Sequence, residues 1–254
     1  MKKLILVLSI STAVLFGGFI EDKNEVIENM ERCGSLDSQG CYEAGVSYIE
    51  GKGTFPTLIR AAKLFTEGCA LKHAESCEAE RKWTLVIGMI KEGDKAHFEN
   101  KDYVTALAFY KKAADEGSAR GLYNVAFFYT IGRGVEKDID TAIKFYLLAA
   151  KKGHTDAMFN LGKIYREGQG VKQDYNKAAD FFYEAALRGE NNSLNQLGIL
   201  YTIGMGVPLD LKQAIIYFGS SIKLGNKEAV KNLSILCGKN PNACKDLEQI
   251  LKGI

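Results

Sequence analysis

The sequence predicts an all-α fold: a right-handed superhelical solenoid of stacked helical hairpins with half-repeat caps. The first observation is a period of 36 residues, at which Gly117, Gly153, Gly189 and Gly225 recur, as do Asp102, Asp138, Asp174 and Asp210 and the alanines Ala106, Ala142, Ala178 and Ala214. A period of this length belongs to units that bury their apolar faces only against their neighbours. The second is that each period holds two stretches of helical apolar spacing around a glycine-rich turn. Stacks of this kind are binding surfaces more often than reaction vessels.

The elements follow in chain order. A half-repeat cap occupies residues 22–40, where Glu25 to Cys33 reads as a second helix without its first. Repeats follow at about 41–75, 76–120, 121–156, 157–192 and 193–228. The closing cap, 229–254, holds a first helix from Ala229 to Cys237, a turn at Asn240-Pro241-Asn242 and a shortened partner from about Ala243 to Leu251.

The fourth repeat is the clearest copy. Its first helix, about Ala157 to Glu167, carries Leu161, Ile164 and Tyr165 at helical spacing, with Gly162 where a side chain would hinder a close neighbour. Gly168-Gln169-Gly170-Val171 ends that helix, as Gly132-Arg133-Gly134-Val135 and Gly204-Met205-Gly206-Val207 do in the flanking repeats. Asp174 then offers an acceptor at the N-cap of the second helix, a slot Thr57 holds in the first repeat. Paired aromatics (Phe109-Tyr110, Phe145-Tyr146, Phe181-Phe182, Tyr217-Phe218) precede small pairs such as Ala149-Ala150 and Ala185-Ala186, and large beside small lets layers interlock.

Repeat two is longer by nine residues, which fall between Cys77 and Asp102. There Trp83, Leu85, Val86, Ile87, Met89 and Ile90 predict a long buried helix; a bent or partly covered groove is the functional alternative.

At 254 residues, with 46% hydrophobic and 25% charged side chains, the chain has the composition of a globular protein with a substantial core. Met1-Lys2-Lys3 and the uncharged run from Leu4 to Ile20 read as a signal peptide over residues 1–18, which implies an exported protein, periplasmic or secreted. Leu15 and Phe16 suit a small-x-small cleavage site poorly, so an uncleaved anchor stays open; without it no stable membrane insertion is expected. Removing Lys2 and Lys3 would leave 31 basic against 31 acidic side chains, and nucleic-acid binding is disfavoured for want of a basic excess. The six cysteines fall into local pairs, Cys33 with Cys41, Cys69 with Cys77 and Cys237 with Cys244. Three short-range disulfides in an oxidising compartment are expected, against free thiols in the cytoplasm.

The slots resemble the Sel1-like repeat family, whose hairpins are of the tetratricopeptide type. Its pattern is matched by Ala157, Leu161-Gly162, Tyr165, Gly168-Gln169-Gly170-Val171, Asp174, Ala178, Phe182, Ala185-Ala186 and Gly189. Cysteines at the second alanine slot and eight positions later further resemble the secreted Helicobacter cysteine-rich branch, where such pairs tie one hairpin to the next. Elsewhere the same slots hold Ala114 with Leu122, Ala150 with Met158 and Ala186 with Leu194.

The resemblance implies an exported scaffold binding a protein or peptide through its concave face, with weak β-lactam hydrolysis or penicillin binding as the alternative. Ser220-Ser221-Ile222-Lys223 supplies a Ser-x-x-Lys, but no Lys-Thr-Gly or Ser-Asp-Asn accompanies it, so no catalytic residue is assigned. Cys69, His73 and Cys77 have metal-like spacing without an apparent fourth ligand, and neither metal nor cofactor is expected. His97 and His154 read as isolated and solvated. The candidate binding face is the free side of the first helices, where Asn124, Asn160 and Gln196 share one slot among Tyr123, Phe127, Phe159, Lys163, Arg166 and Thr202. Carboxamides both donate to and accept from a peptide backbone. The bland reading is that they make a structural contact.

Overall fold

A computed structural model describes residues 23–51 and 57–245. The signal segment at 1–18 and most of the shortened C-terminal helix expected to reach Leu251 lie outside the described residues. The helices are α1 (23–34), α2 (Ser38–Glu50), α3 (Leu58–Ala70), α4 (Ala74–Phe98), α5 (Tyr103–Asp115), α6 (Ala119–Ile131), α7 (Ile139–Lys151), α8 (Thr155–Glu167), α9 (Tyr175–Leu187), α10 (Asn191–Ile203), α11 (Leu211–Lys223) and α12 (Lys227–Lys239). A 3-10 turn, Pro241–Cys244, follows, and the described residues contain no strand.

Two compact units divide the chain. Unit 1 holds residues to Asp138 together with Leu148–His154; unit 2 holds Ile139–Leu147 and the residues from Thr155 onward. In unit 1, α2 packs on α3, α3 on α4, α4 on α5 and α5 on α6; in unit 2, α8 packs on α9, α9 on α10, α10 on α11 and α11 on α12. This chain-order packing of hairpins is the all-α solenoid architecture that the period predicts.

Local chemistry explains the joints. Asp174 Oδ1 accepts the Lys177 amide at 3.0 Å, and Asp210 Oδ1 accepts those of Lys212 and Gln213 at 2.9 and 3.1 Å, which satisfies first-turn donors. Thr57 occupies the same cap position but, contrary to the expectation, its side chain makes no capping bond; its carbonyl accepts the Arg60 and Ala61 amides. The glycine-rich loop closes when the capping aspartate donates its amide back to the preceding first helix, Asp174 to the Tyr165 carbonyl at 2.9 Å and Asp210 to that of Tyr201 at 3.0 Å. Gly206 shows why the second glycine of that loop is needed. Its φ is +72°, and a Cβ there would lie 2.1 Å from the Tyr175 carbonyl oxygen.

The interior is built on a missing side chain. At Gly45, Gly93, Gly162 and Gly198 an added Cβ would come within 2.5 to 2.6 Å of the rings of Phe65, Tyr110, Phe182 and Phe218 respectively. Each ring therefore lies directly on the opposing helix backbone and is almost fully buried, with the fully buried Ala61, Ala106, Ala178 and Ala214 beside them.

Repeat two obtains its extra length from a single helix. α4 spans 25 residues where α6 spans 13, while its connection to α5 is residues 99–102 in place of the longer glycine-rich loop at 132–138. α4 is not buried throughout, contrary to the expectation. Trp83, Val86 and Ile90 are buried, Ile87 and Met89 are half-buried and Leu85 is 64% exposed, because a helix against a stack presents only one stripe to the core. Its start packs on α3, where Ser76 faces Gly68, and its end packs on α5, where Gly93 receives Tyr110. An ordinary first helix makes both contacts within its 13 residues; here Ser76 and Gly93 stand roughly 25 Å apart along the axis, at about 1.5 Å per residue.

Disulfides join Cys33 to Cys41, Cys69 to Cys77 and Cys237 to Cys244. The first two tie a helix end to the first turn of the next helix. At those two turns the left-handed residue is not glycine: Leu36 and Lys72 both have φ of 66°, where the disulfide-free repeats use Gly117, Gly153, Gly189 and Gly225. Bonding at the turn accompanies a residue that takes up this conformation at a cost of about 1 to 2 kcal/mol.

Candidate binding faces

The predicted row divides between the units, Asn124 in unit 1 and Asn160 and Gln196 in unit 2. All three carboxamides are half-buried. In unit 2, Asn160 Nδ2 donates to the Tyr146 hydroxyl at 3.2 Å. The Arg166 guanidinium donates to Gln196 Oε1 and to Glu167, while the Arg166 carbonyl accepts from Gln173 Nε2 at 2.8 Å. Lys163 Nζ stands 5.9 Å from the Phe159 ring centroid, and that ring packs on Phe182 at 5.8 Å. Thr202 Oγ1 donates to the Gly198 carbonyl of its own helix at 2.7 Å. The structure thus brings Arg166 and Gln196 together and pairs Lys163 with Phe159.

In unit 1, Tyr123 stacks on Phe127 at 6.4 Å and, with nearly parallel ring planes, on His154 at 4.5 Å. The histidine expectations are corrected here. His154 is not solvated: its Nδ1 is buried without a hydrogen-bond partner, and burial, with the nearby Arg120, pushes its pKa down to about 4. His97 lies against Phe98, Tyr103 and Phe128, with centroids 4.2, 5.7 and 5.0 Å away, and burial lowers its pKa. Apart from Phe98, the sequence neighbour of His97, these rings are brought in only by chain folding.

His73 serves as the N-cap of α4, its Nδ1 accepting the Ser76 amide at 3.2 Å while Nε2 lies 3.0 Å from Gln39 Oε1. With Cys69 and Cys77 bonded to each other, the metal-like spacing is accounted for by a cap beside a disulfide. Cys33, Cys41 and Glu67 also cluster, but the two sulfurs are joined. Ser220 and Lys223 share one turn of α11, with Lys223 exposed.

Sequence reasoning missed two polar groupings. Arg120 donates to Asp94 Oδ2 at 2.6 Å and the Tyr110 hydroxyl donates to Asp94 Oδ1 at 2.9 Å, joining α4, α5 and α6. Asn195, buried at a slot that holds an aromatic in the preceding repeats, accepts from Asn232 Nδ2 at 2.9 Å. The departure from an aromatic was the available signal. Among the described residues no helix is long and apolar enough to cross a membrane.

Comparison with known proteins agrees with this geometry. Cytochrome c oxidase assembly factor 7 of Xenopus tropicalis is 30% identical over 99 residues, which span 37% of this chain and 40% of that protein. A Sel1 repeat protein from Oxalobacter formigenes superposes with a TM-score of 0.59 at 24% identity, covering 85% of this chain and 84% of the other. Helicobacter pylori cysteine rich protein B covers 54% of this chain and 99% of its own at 23% identity, with a TM-score of 0.43. The Sel1 repeat pattern matches residues 38–73, 92–118, 119–154, 155–190 and 192–226. With those five matches over most of its length, the chain belongs to the Sel1 repeat family.

Proposed function

We propose that this Sel1-repeat protein is an exported scaffold that binds a protein or peptide partner on the free face of its first helices. The observation that carries the reading is the composition of that face. Half-buried Asn124, Asn160 and Gln196 stand among the side chains of Tyr123, Phe159, Lys163 and Arg166 on helices whose opposite sides are fixed by close packing. Polar groups on rigid elements pay little entropy on binding. The basic and apolar start of the chain and its six bonded cysteines support export to an oxidising compartment.

The test is the double change Asn124→Ala with Asn160→Ala. Crosslinking and pull-down from the cell envelope should recover the partner about tenfold less well, while the melting curve shifts little, since each lost hydrogen bond is worth roughly 0.5 to 1.5 kcal/mol. Unchanged capture defeats the assignment of the face. Loss of the fold makes the carboxamides structural.

A further inference from the structure

The long α4 leaves one of its faces uncovered. Between its contact with α3 at Ser76 and its contact with α5 at Gly93, the side away from buried Trp83, Val86 and Ile90 carries Arg81, Leu85, Gly88 and Glu92. These follow one another at spacings of four, three and four, the pattern of a single stripe that meets a partner helix. All four are exposed, Leu85 by 64%. With Met89 and, from α5, Phe109 and Lys112, the stripe lines an open, mainly apolar groove of about 890 Å³.

Two features of the stripe have no use within the chain. Glycine weakens a helix interior, yet a Cβ at Gly88 would meet nothing within 4 Å, whereas Gly93 of the same helix receives the Tyr110 ring. Arg81 and Glu92 form no ion pair among the described residues, while Glu80 at the edge of the groove accepts from the Thr66 hydroxyl at 2.7 Å and Lys112 Nζ stands 5.3 Å from the Phe109 ring centroid. The stripe is also its own complement. Turned about a two-fold axis midway between Val86 and Ile87, Arg81 meets Glu92 of the partner subunit and Leu85 meets Gly88 of the partner subunit. Each leucine then seats on a glycine backbone, as Phe182 seats on Gly162 within the chain. A parallel pairing would instead set arginine against arginine and glutamate against glutamate.

We propose that the protein self-associates through α4, two copies packing antiparallel about that axis as a weak, reversible dimer. Leu85 and Met89 lose their contact with water, Gly88 lets the helix axes approach closely, and the two Arg81–Glu92 pairs fix register and orientation. A contact of about three helical turns is small, which places the dissociation constant on the order of 10 to 100 μM. Asn124 and Asn160 stand on α6 and α8, so the Asn124→Ala, Asn160→Ala variant leaves the dimer intact and the two readings fail separately.

Sedimentation equilibrium of the disulfide-bonded protein over a concentration series should show a reversible monomer–dimer equilibrium. Arg81→Glu and Glu92→Arg should each weaken it about tenfold or more, because each places like charges at both ends of the seam. Mixed together, the two variants should form a heterodimer, and the chain carrying both changes should regain a homodimer. Both positions are exposed, so the melting curves should stay unchanged. A protein that remains monomeric up to about 1 mM would overturn the proposal, whether the stripe is bare or covered by another segment or partner. So would a dimer indifferent to Arg81→Glu, or single variants that neither pair in the mixture nor recover in the double change.

Discussion

His154 concentrates more chemistry than its sequence context suggests. Burial and Arg120 hold its pKa near 4, below the ordinary value of 6.5, so between those values the unfolded chain takes up a proton that the folded chain refuses. Stability should therefore fall as pH falls from 6.5 toward 4, by an amount on the order of 2 to 3 kcal/mol from this residue. His97, also lowered by burial, acts in the same direction, while Asp156, raised by burial, opposes both. Comparing the pH dependence of urea unfolding for the unaltered protein and His154→Phe, which keeps a ring for Tyr123 to stack on, isolates the contribution of this histidine. The variant should show the flatter profile; identical profiles would show that the ring titrates normally in the fold. This burial is not legible from residue types alone, because the stacking partner Tyr123 stands on α6, 31 positions earlier in the chain. The same reason hid the bond from Asn160 to Tyr146, which gives one proposed binding carboxamide a structural partner as well.

At the scale of elements, much was readable because it rests on neighbours in sequence. Asp174 caps α9, Gly162 admits Phe182 and Gly168 begins its loop, each a backbone requirement that few residue types satisfy. Repeat two was readable only as an excess. A chain with nine extra residues and no Gly-x-Gly turn does not say whether the excess forms a loop or a helix extension, and packing on both α3 and α5 decided for the helix. The disulfide-tied turns yield a test. Lys72→Gly should stabilise the protein by about 0.5 to 1 kcal/mol in denaturant unfolding, since lysine is strained at positive φ. Cys69→Ala with Cys77→Ala should destabilise it by about 2 to 3 kcal/mol. If lysine to glycine destabilises the protein, the turn is held by something other than its backbone conformation.

For the molecule as a whole, stability should be distributed along each stack, since every hairpin touches only its neighbours. Function then depends on which surface is left over. The second helices place Phe65, Tyr110, Phe182 and Phe218 inward on the glycines of the first, whereas the carboxamides and neighbouring rings of the first helices are half-buried. The fold class was legible in the spacing of Gly, Asp and Ala, whereas the face used for binding is a matter of three-dimensional exposure that a repeat period does not encode. The most direct measurement of the central claim is crosslinking mass spectrometry on the protein with its captured partner. Partner crosslinks should concentrate on the first-helix lysines Lys82, Lys91 and Lys163, and spare the second-helix lysines Lys144, Lys177 and Lys212. Crosslinks gathered on the second helices would contradict the account.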